Sequence, residues 1–356
     1  MKSIVLVAPG VHAPLTEGRK LFVMDLAKTL RMRGVSVEII SGRVDVGGMQ
    51  AIRQSLVELR EYCKTCKNVD SIAIFPYGTF VGSRRIANEW LLRQSLAIAR
   101  RINVPALPVF YSCAGLRFEK MARKFAPSLA VGRSTAGVGA IHLGVSRKME
   151  CWKPSGSGLR NLLFLCGYQS PTRKALSDVL HQRGLLDLLH AGDRLASAGM
   201  RLSIAIPFLR EPLMRDRLQR LAQRFCPTLQ IDMHDSIDPA SVFNGHDAFV
   251  FPYRAAHAVF IPTSLLEGIL SGIPVIAADQ VMYRSLTVGN DLFRCGLYRA
   301  GDPDDLVRQL LAMQEQYDSA VKQAEVGASA VSEKWNLERS ADELIIAFSE
   351  TAPARH

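Results

Sequence analysis

The chain has 356 residues, of which 48% are hydrophobic and 22% charged, and a formal net charge of +11. That is long enough for two ordinary domains, each with its own core. No apolar run approaches the roughly 20 residues needed to span a bilayer, and residues 1–10 are too short and too strand-like for a signal peptide. The expected location is therefore the cytoplasm, and seven cysteines, an odd number without disulfide-framework spacing, agree with a reducing compartment.

Residues 2–9 read as a buried strand, and a helix opens near Thr16 with Leu21, Met24, Leu26 and Leu30 on a sheet-covering face. A strand at 35–40, a helix at 48–64, a strand at 71–75, a basic helix at 84–102 and a strand at 106–111 follow. This alternation is the rhythm of a parallel sheet with helical crossovers. Short apolar runs at 129–131 and 140–143 complete the first half, and the Gly-, Ser- and Pro-rich stretch 146–160 reads as a linker. Beyond it the rhythm resumes: strand 161–166, helix 185–198, strand 201–206, helix 213–225, strand 229–233, strand 274–277 and a closing helix at 336–349. Two successive α/β halves with a flexible join imply two Rossmann-like domains with a cleft between them.

Charge separates the halves. Residues 1–158 hold 24 Lys and Arg against 10 Asp and Glu, whereas residues 159–356 hold 20 against 23. A basic first half points to an anionic partner, either nucleic acid or a membrane surface. No RNA- or DNA-reading motif accompanies the charge, so nucleic acid is not expected. Residues 117–125 place Phe118, Met121, Ala122 and Phe125 on one helical face flanked by Arg117, Lys120, Arg123 and Lys124. Such a helix either lies in an anionic lipid interface or packs its apolar face on the sheet. Cys63 and Cys66 form a CxxC pair, without the second ligand pair of a zinc site or the strand-then-helix placement of a redox pair. No metal site is expected.

The most informative stretch runs from Phe249 to Asp279. It reads as buried strand, loop, short helix, glycine stop at Gly272 and second buried strand. This aims a helix N-terminus at the place where two parallel strands end, and the unpaired N–H groups and positive dipole end there suit a phosphate. Thr263, Ser264 and Leu265 open that helix, and the two hydroxyls have a second available role as helix caps. Glu267 follows the opening turn, carrying a carboxylate able to accept bonds from sugar hydroxyls.

These residues resemble the donor-binding motif of retaining GT-B glycosyltransferases, in particular glycosyltransferase family 4. Pro252, Leu266, Glu267, Gly272, Pro274, Val275 and Ala277 match it in order. Residues 34–40 resemble the family's turn into its second strand, and Trp335 the aromatic before its closing helix. The resemblance implies an acceptor domain over 1–150, a nucleotide-sugar donor domain over 160–335, and a helix over 336–356 crossing back to the first domain.

It also implies roles for particular residues. Arg183-Gly184 matches a basic-glycine pair that holds the donor diphosphate, and Tyr168 stands where a first arginine is usual, with Arg173 or Lys174 as replacements from a longer loop. Val259 occupies the place of the motif's first glutamate, with His257 two residues earlier as a group able to reach the sugar. In the first domain, Gly18 would meet the donor diphosphate, and His12 and Glu17 lie on the acceptor side. Arg183 and Glu267 are the expected catalytic pair. The implied reaction is metal-independent and cofactor-free: a sugar moves from a UDP- or GDP-linked donor, with retention, to a lipid-linked or polysaccharide acceptor at the inner membrane face. The alternative is a non-catalytic nucleotide- or glycan-binding protein, suggested by Val259 and Tyr168 standing where charges are usual.

Overall fold

The structure, a computed structural model, describes residues 1–11, 18–42, 48–66, 68–76, 83–111, 121, 124–125, 127–131, 138–141, 145, 150–154, 156, 158–168, 171–236, 238, 241–254, 262–280 and 296–351. They form two compact units. Among the described residues, one holds those up to 145 together with those from 334 onward, and the other holds those from 150 to 333.

The first unit is built on β1 (Ser3–Val7), β2 (Ser36–Ile40), β3 (Ser71–Ile74), β4 (Ala106–Phe110), β5 (Ser128–Val131) and β6 (Val138–Ile141). They form one parallel sheet in the order β2-β1-β3-β4-β5-β6. The helices α1 (Gly18–Met32), α2 (Gly48–Thr65) and α3 (Ser83–Arg101) cross between successive strands. Crossover helices cover both faces of such a sheet, and so its inner strands are continuous apolar runs, with β3 and β5 buried along their whole length, whereas the edge strand β2 alternates in exposure. α2 and α3 lie side by side on one face: Ile52, Leu56 and Leu59 from α2 and Leu91, Leu92 and Ile98 from α3 close a core over Val5, Val7, Ile72 and Ile74. On α1 the buried stripe is Phe22, Val23, Leu26, Ala27 and Leu30, with Leu21 and Met24 only half-buried. The helix is therefore rotated slightly from the face its aliphatic residues alone suggest.

Met121 and Phe125 belong to the core shared by α2 and α3, so in this part of the 117–125 stretch the apolar side faces the sheet. Lys124 bonds Glu89 at 2.6 Å. Residues 112–120 and 122–123 lie outside the described residues.

The second unit runs β7 (Asn161–Leu165), α4 (Arg173–His181), α5 (Leu185–Ser197), β8 (Arg201–Ala205), a 3-10 turn at Pro207–Arg210, α6 (Pro212–Phe225), β9 (Ile231–His234), β10 (Ala248–Phe251), α7 (Thr263–Ser271), β11 (Val275–Ala278), β12 (Gly296–Tyr298), α8 (Pro303–Glu315) and α9 (Tyr317–Lys334). Its sheet is also parallel, in the order β12-β11-β10-β7-β8-β9. The first strand, β7, sits in the middle, so the chain winds outward one way to β9 and then returns to β10 and winds the other way. Between β7 and β10 the crossovers diverge, leaving a crevice beyond the strands' carboxyl ends.

α10 (Leu337–Thr351) belongs to the first unit, where it packs on α1 and β6 and Asp342 pairs with Arg33. Features of the second unit that lie beyond the sequence expectations include α4 in place of a loop, the successive helices α8 and α9, and the short edge strand β12.

Candidate active site

The carboxyl edge of the second sheet gathers side chains from four segments. After β7, the Tyr168 hydroxyl donates to Asp178 on α4. α4 is capped by Thr172, whose Oγ1 accepts from the Ala175 N–H at 3.1 Å. It stops where the Gln182 and Arg183 N–H groups both bond the Asp178 carbonyl, at 2.8 and 2.9 Å. Gly184 then adopts a left-handed conformation with φ of 69° and starts α5. A Cβ at this position would overlap the Pro252 carbonyl. Glycine is required twice over, by the dihedral and by the approach of the chain leaving β10.

That close approach zips two segments together. The Arg254 N–H donates to the Gln182 carbonyl at 2.9 Å, and the Arg183 guanidinium carbon lies 4.6 Å from the Tyr253 ring centroid and 5.5 Å from that of Tyr168. Tyr253 is itself fixed, stacking on Phe251 with centroids 3.9 Å apart and donating its hydroxyl to the Leu165 carbonyl at 3.1 Å. The Arg183 Nε is buried without a hydrogen-bond partner among the described residues. Burial opposes the charge on this guanidinium, but the Tyr253 and Tyr168 oxygens and the Cys166 thiol around it more than offset that, and its pKa stays above the ordinary arginine value. A cation held between two aromatic faces with a donor left over is suited to an anionic oxygen.

Burial and the bond to Asp178 push the pKa of the Tyr168 phenol up, against the opposing effect of Arg183. It remains a protonated donor at neutral pH. Burial likewise raises the Cys166 thiol, leaving it neutral.

Next to Arg183, Arg254 is held by Asp187, a fully buried carboxylate in the first turn of α5. Asp187 also accepts from the Tyr298 hydroxyl at 2.9 Å and the Gly301 N–H at 3.1 Å. One carboxylate thus ties together the exits of β10 and β12 and the start of α5. Gln280 adds a bond from Nε2 to the Arg254 carbonyl at 2.8 Å. About a third of the Arg254 side chain remains exposed. The sequence expectations do not include Arg254 or Asp187; both stand beside motif positions, but only the folded chain reveals that residues 67 apart are paired.

α7 follows β10 and antiparallels the strands, so its N-terminus lies at this same edge. Its N-cap is Pro262, with no side-chain cap. The Leu265 and Leu266 N–H groups bond the Pro262 carbonyl at 3.1 and 3.2 Å. The Thr263 and Ser264 N–H groups have no partner among the described residues, and neither hydroxyl serves as the cap. Leu265 is placed in the core instead. Glu267, one turn on, is 7% exposed, and Gly272 ends the helix with φ of 85°. Gly268 lets α7 sit directly on the Phe249 ring.

Arg173 and Lys174 are exposed in the first turn of α4 rather than in a loop, and project from that helix end into solvent. His257 and Val259 lie outside the described residues, as do His12 and Glu17. Gly18 is the first residue of α1. Beside it, the buried Arg19 donates to the Pro9 carbonyl at 2.6 Å and the Phe75 carbonyl at 3.4 Å, pinning the exits of β1 and β3 at the carboxyl edge of the first sheet.

Two other places have less to offer. A cavity of about 680 Å³ opens at the amino edge of the second sheet, but its polar groups are turned inward: Asp247 accepts from the Arg160 and Asn161 N–H groups, Arg201 bonds Asn161, and Thr228 bonds Asp193. Cys63 ends up on α2 with its thiol raised by burial and then by Cys66, the reverse of a reactive cysteine. Among the described residues no three His, Cys, Asp or Glu side chains come together to hold a metal.

No family model and no curated protein matches the sequence. Solved structures do match. A glycosyltransferase from Rickettsia africae ESF-5 is 15% identical, with 99% of each chain covered and a TM-score of 0.67. Sucrose-phosphate synthase from Thermosynechococcus elongatus is 12% identical, covering 98% of this chain and 99% of the other with a TM-score of 0.72. HepE from Anabaena, in complex with UDP, is 14% identical, covering 98% of this chain and all of its own with a TM-score of 0.64; it has also been seen with UDP-glucose. The chain has the fold of these GT-B proteins, two parallel-sheet α/β domains, over nearly its whole length.

Proposed function

We propose that the chain is a glycosyltransferase that takes a sugar from a nucleoside diphosphate and passes it, with retention of configuration, to a glycan or lipid-linked acceptor. The observation that carries this reading is the partner-free Nε of Arg183, held over Tyr253 at the divergence of β7 and β10, on the same sheet edge as the uncapped first turn of α7. The donor diphosphate would be seated by the Thr263 and Ser264 N–H groups and by Arg183, with Arg254, Arg173 and Lys174 adding positive charge. Glu267 would accept from the ribose hydroxyls and His257 would approach the sugar. Gly18 would meet the donor diphosphate, and His12 and Glu17 would lie on the acceptor side.

In the step itself, the bond from the anomeric carbon to the diphosphate oxygen breaks while the acceptor oxygen bonds that carbon on the same face. The acceptor proton passes to the departing phosphate oxygen. No protein base is then required, consistent with tyrosine and cysteine groups at this edge whose pKa values are raised. Stabilising the departing charge falls to guanidinium groups and helix amides, and the reading needs no metal or cofactor. UDP and GDP are the nucleotides proposed, and the basic first unit suits an acceptor presented at an anionic membrane surface on the cytoplasmic side.

A second reading is a nucleotide- or glycan-binding protein without turnover, favoured by Tyr168 being committed to Asp178 where a free cation would aid catalysis. Incubation with UDP- and GDP-linked sugars, with and without glycan acceptors, separates the two. Release of nucleoside diphosphate supports transfer; tight nucleotide binding with no release supports the second reading.

A further inference from the structure

The outer surface of α2 and α3 carries large apolar side chains that the fold leaves in solvent. Ile86 is 70% exposed, Val57 56%, Met49 40% and Trp90 36%. α2 leads from β2 to β3 and α3 from β3 to β4, all strands of one parallel sheet, so the two helices run in the same direction, and the bond from Arg60 Nη2 to Gln94 Oε1 at 3.0 Å fixes their register. Val57 and Trp90 lie one turn before that pair on their respective helices, and Ile86 a turn earlier again. Val57, Trp90 and Ile86 therefore share one stretch of this surface, from the middle of α2 to the first half of α3, with Met49 at the start of α2.

Cations frame it. Arg53, Arg60 and Arg93 are exposed and have no carboxylate partner among the described residues, and the same holds for Arg100 and Arg101 at the end of α3. The acidic groups nearby are occupied: Glu89 binds both Arg85 and Lys124, Glu61 binds Lys64, and Glu58 accepts from the Gly42 N–H at 3.1 Å. Protruding aliphatic side chains and a tryptophan among unpaired arginines fit the boundary between phosphate headgroups and acyl chains. A protein partner would meet a row of guanidinium groups needing several carboxylates, whereas an anionic bilayer supplies fluid, adjustable negative charge together with an apolar layer for Ile86 and Trp90.

We infer that the α2–α3 face of the first unit docks on an anionic lipid surface, through Met49, Val57, Ile86 and Trp90 as apolar contacts and Arg53, Arg60 and Arg93 as charge contacts. This deepens the proposal that the first unit works at such a surface, and it moves the contact away from Met121 and Phe125, which the core occupies.

The chain has three tryptophans, and Trp152 and Trp335 are buried, so a change of emission on vesicle binding reports on Trp90. The full-length protein should float with vesicles of phosphatidylcholine and phosphatidylglycerol but not with phosphatidylcholine alone, and its emission should shift to the blue on the mixed vesicles. Ile86→Ser with Trp90→Phe, and separately Arg53→Gln with Arg60→Gln and Arg93→Gln, should each lower flotation at least tenfold. All of these positions are exposed, so circular dichroism should be unchanged. Equal recovery on both vesicle types, no recovery on either, or wild-type recovery of both variants would overturn the assignment. The vesicle readout needs no nucleotide: flotation lost in the variants, in a protein that binds neither UDP nor GDP, would sustain this face while refuting the donor site.

Discussion

The guanidinium carbon of Arg183 lies over the ring of Tyr253, 4.6 Å from its centroid, although the two stand 70 positions apart in the chain. Their contact is possible because Gly184 has no Cβ to strike the Pro252 carbonyl. From this junction the behaviour of several variants can be anticipated.

Gly184→Ala should destabilise the protein by about 2–4 kcal/mol, combining the left-handed dihedral with backbone overlap. Gly199 provides the control: its φ is also positive, at 77°, but no atom lies within 4 Å of where its Cβ would be. Gly199→Ala should therefore cost only about 1–2 kcal/mol. Urea unfolding of the two variants, compared directly, measures the difference.

Asp187→Ala should cost about 3–5 kcal/mol, since it strands the Arg254 charge and removes the acceptor for Tyr298 and Gly301. Asp187→Asn, which keeps one acceptor oxygen, should cost less. Adding Arg254→Met to Asp187→Ala should recover part of the loss, because no uncompensated cation is then left. Near-additive effects in a denaturation cycle would refute the coupling.

The two-unit α/β organisation was legible because parallel strands buried on both faces are continuous apolar runs, bounded here by Gly, Pro and polar residues. β12 escaped the pattern, being a three-residue edge strand. α8 carried a local signal, Asp302 before Pro303, and the Asp302 carboxylate does cap the Asp304 and Asp305 N–H groups at 3.1 and 3.0 Å; with Leu306, Val307 and Leu310 buried at helical spacing, this element too was legible in the sequence. At the candidate site, Arg183-Gly184 stood out as a local motif. The pairing of Arg254 with Asp187 and the clamp made by Arg19 are contacts between distant segments, and no local spacing encodes them. Whether Thr263 and Ser264 cap α7 was undecidable from residue types alone; the cap position taken by Pro262 decides it.

Acid should weaken the second unit through His246. Burial, and then the nearby positive charge of His234, lower its pKa below the ordinary value of 6.5, with Asp247 acting in the opposite direction. Because the unfolded chain takes up this proton more readily than the folded one, stability is full above about pH 6.5 and falls as the pH drops through the lower folded value. His246→Asn should flatten the dependence below pH 6.5 relative to wild type. Parallel slopes in urea titrations at pH 7 and pH 5 would show that His246 is not responsible.

Glu267→Gln keeps the shape of a buried side chain while removing its charge. UDP or GDP affinity should fall about tenfold, the scale of one hydrogen bond to a charged group. The melting temperature should change little. A variant that unfolds readily yet binds nucleotide normally would make Glu267 a structural residue.

The central claim is that a nucleoside diphosphate sits at the carboxyl edge of the second sheet against Arg183. Calorimetric titration of UDP and GDP into the wild type and into Arg183→Met, at matched folded fractions, tests it most directly. The account predicts that the wild type binds at least one of the two nucleotides and that the variant binds it about 10–100-fold more weakly, the loss of one charge-assisted contact. Equal affinity in the two proteins, or no binding of either nucleotide by the wild type, would contradict it.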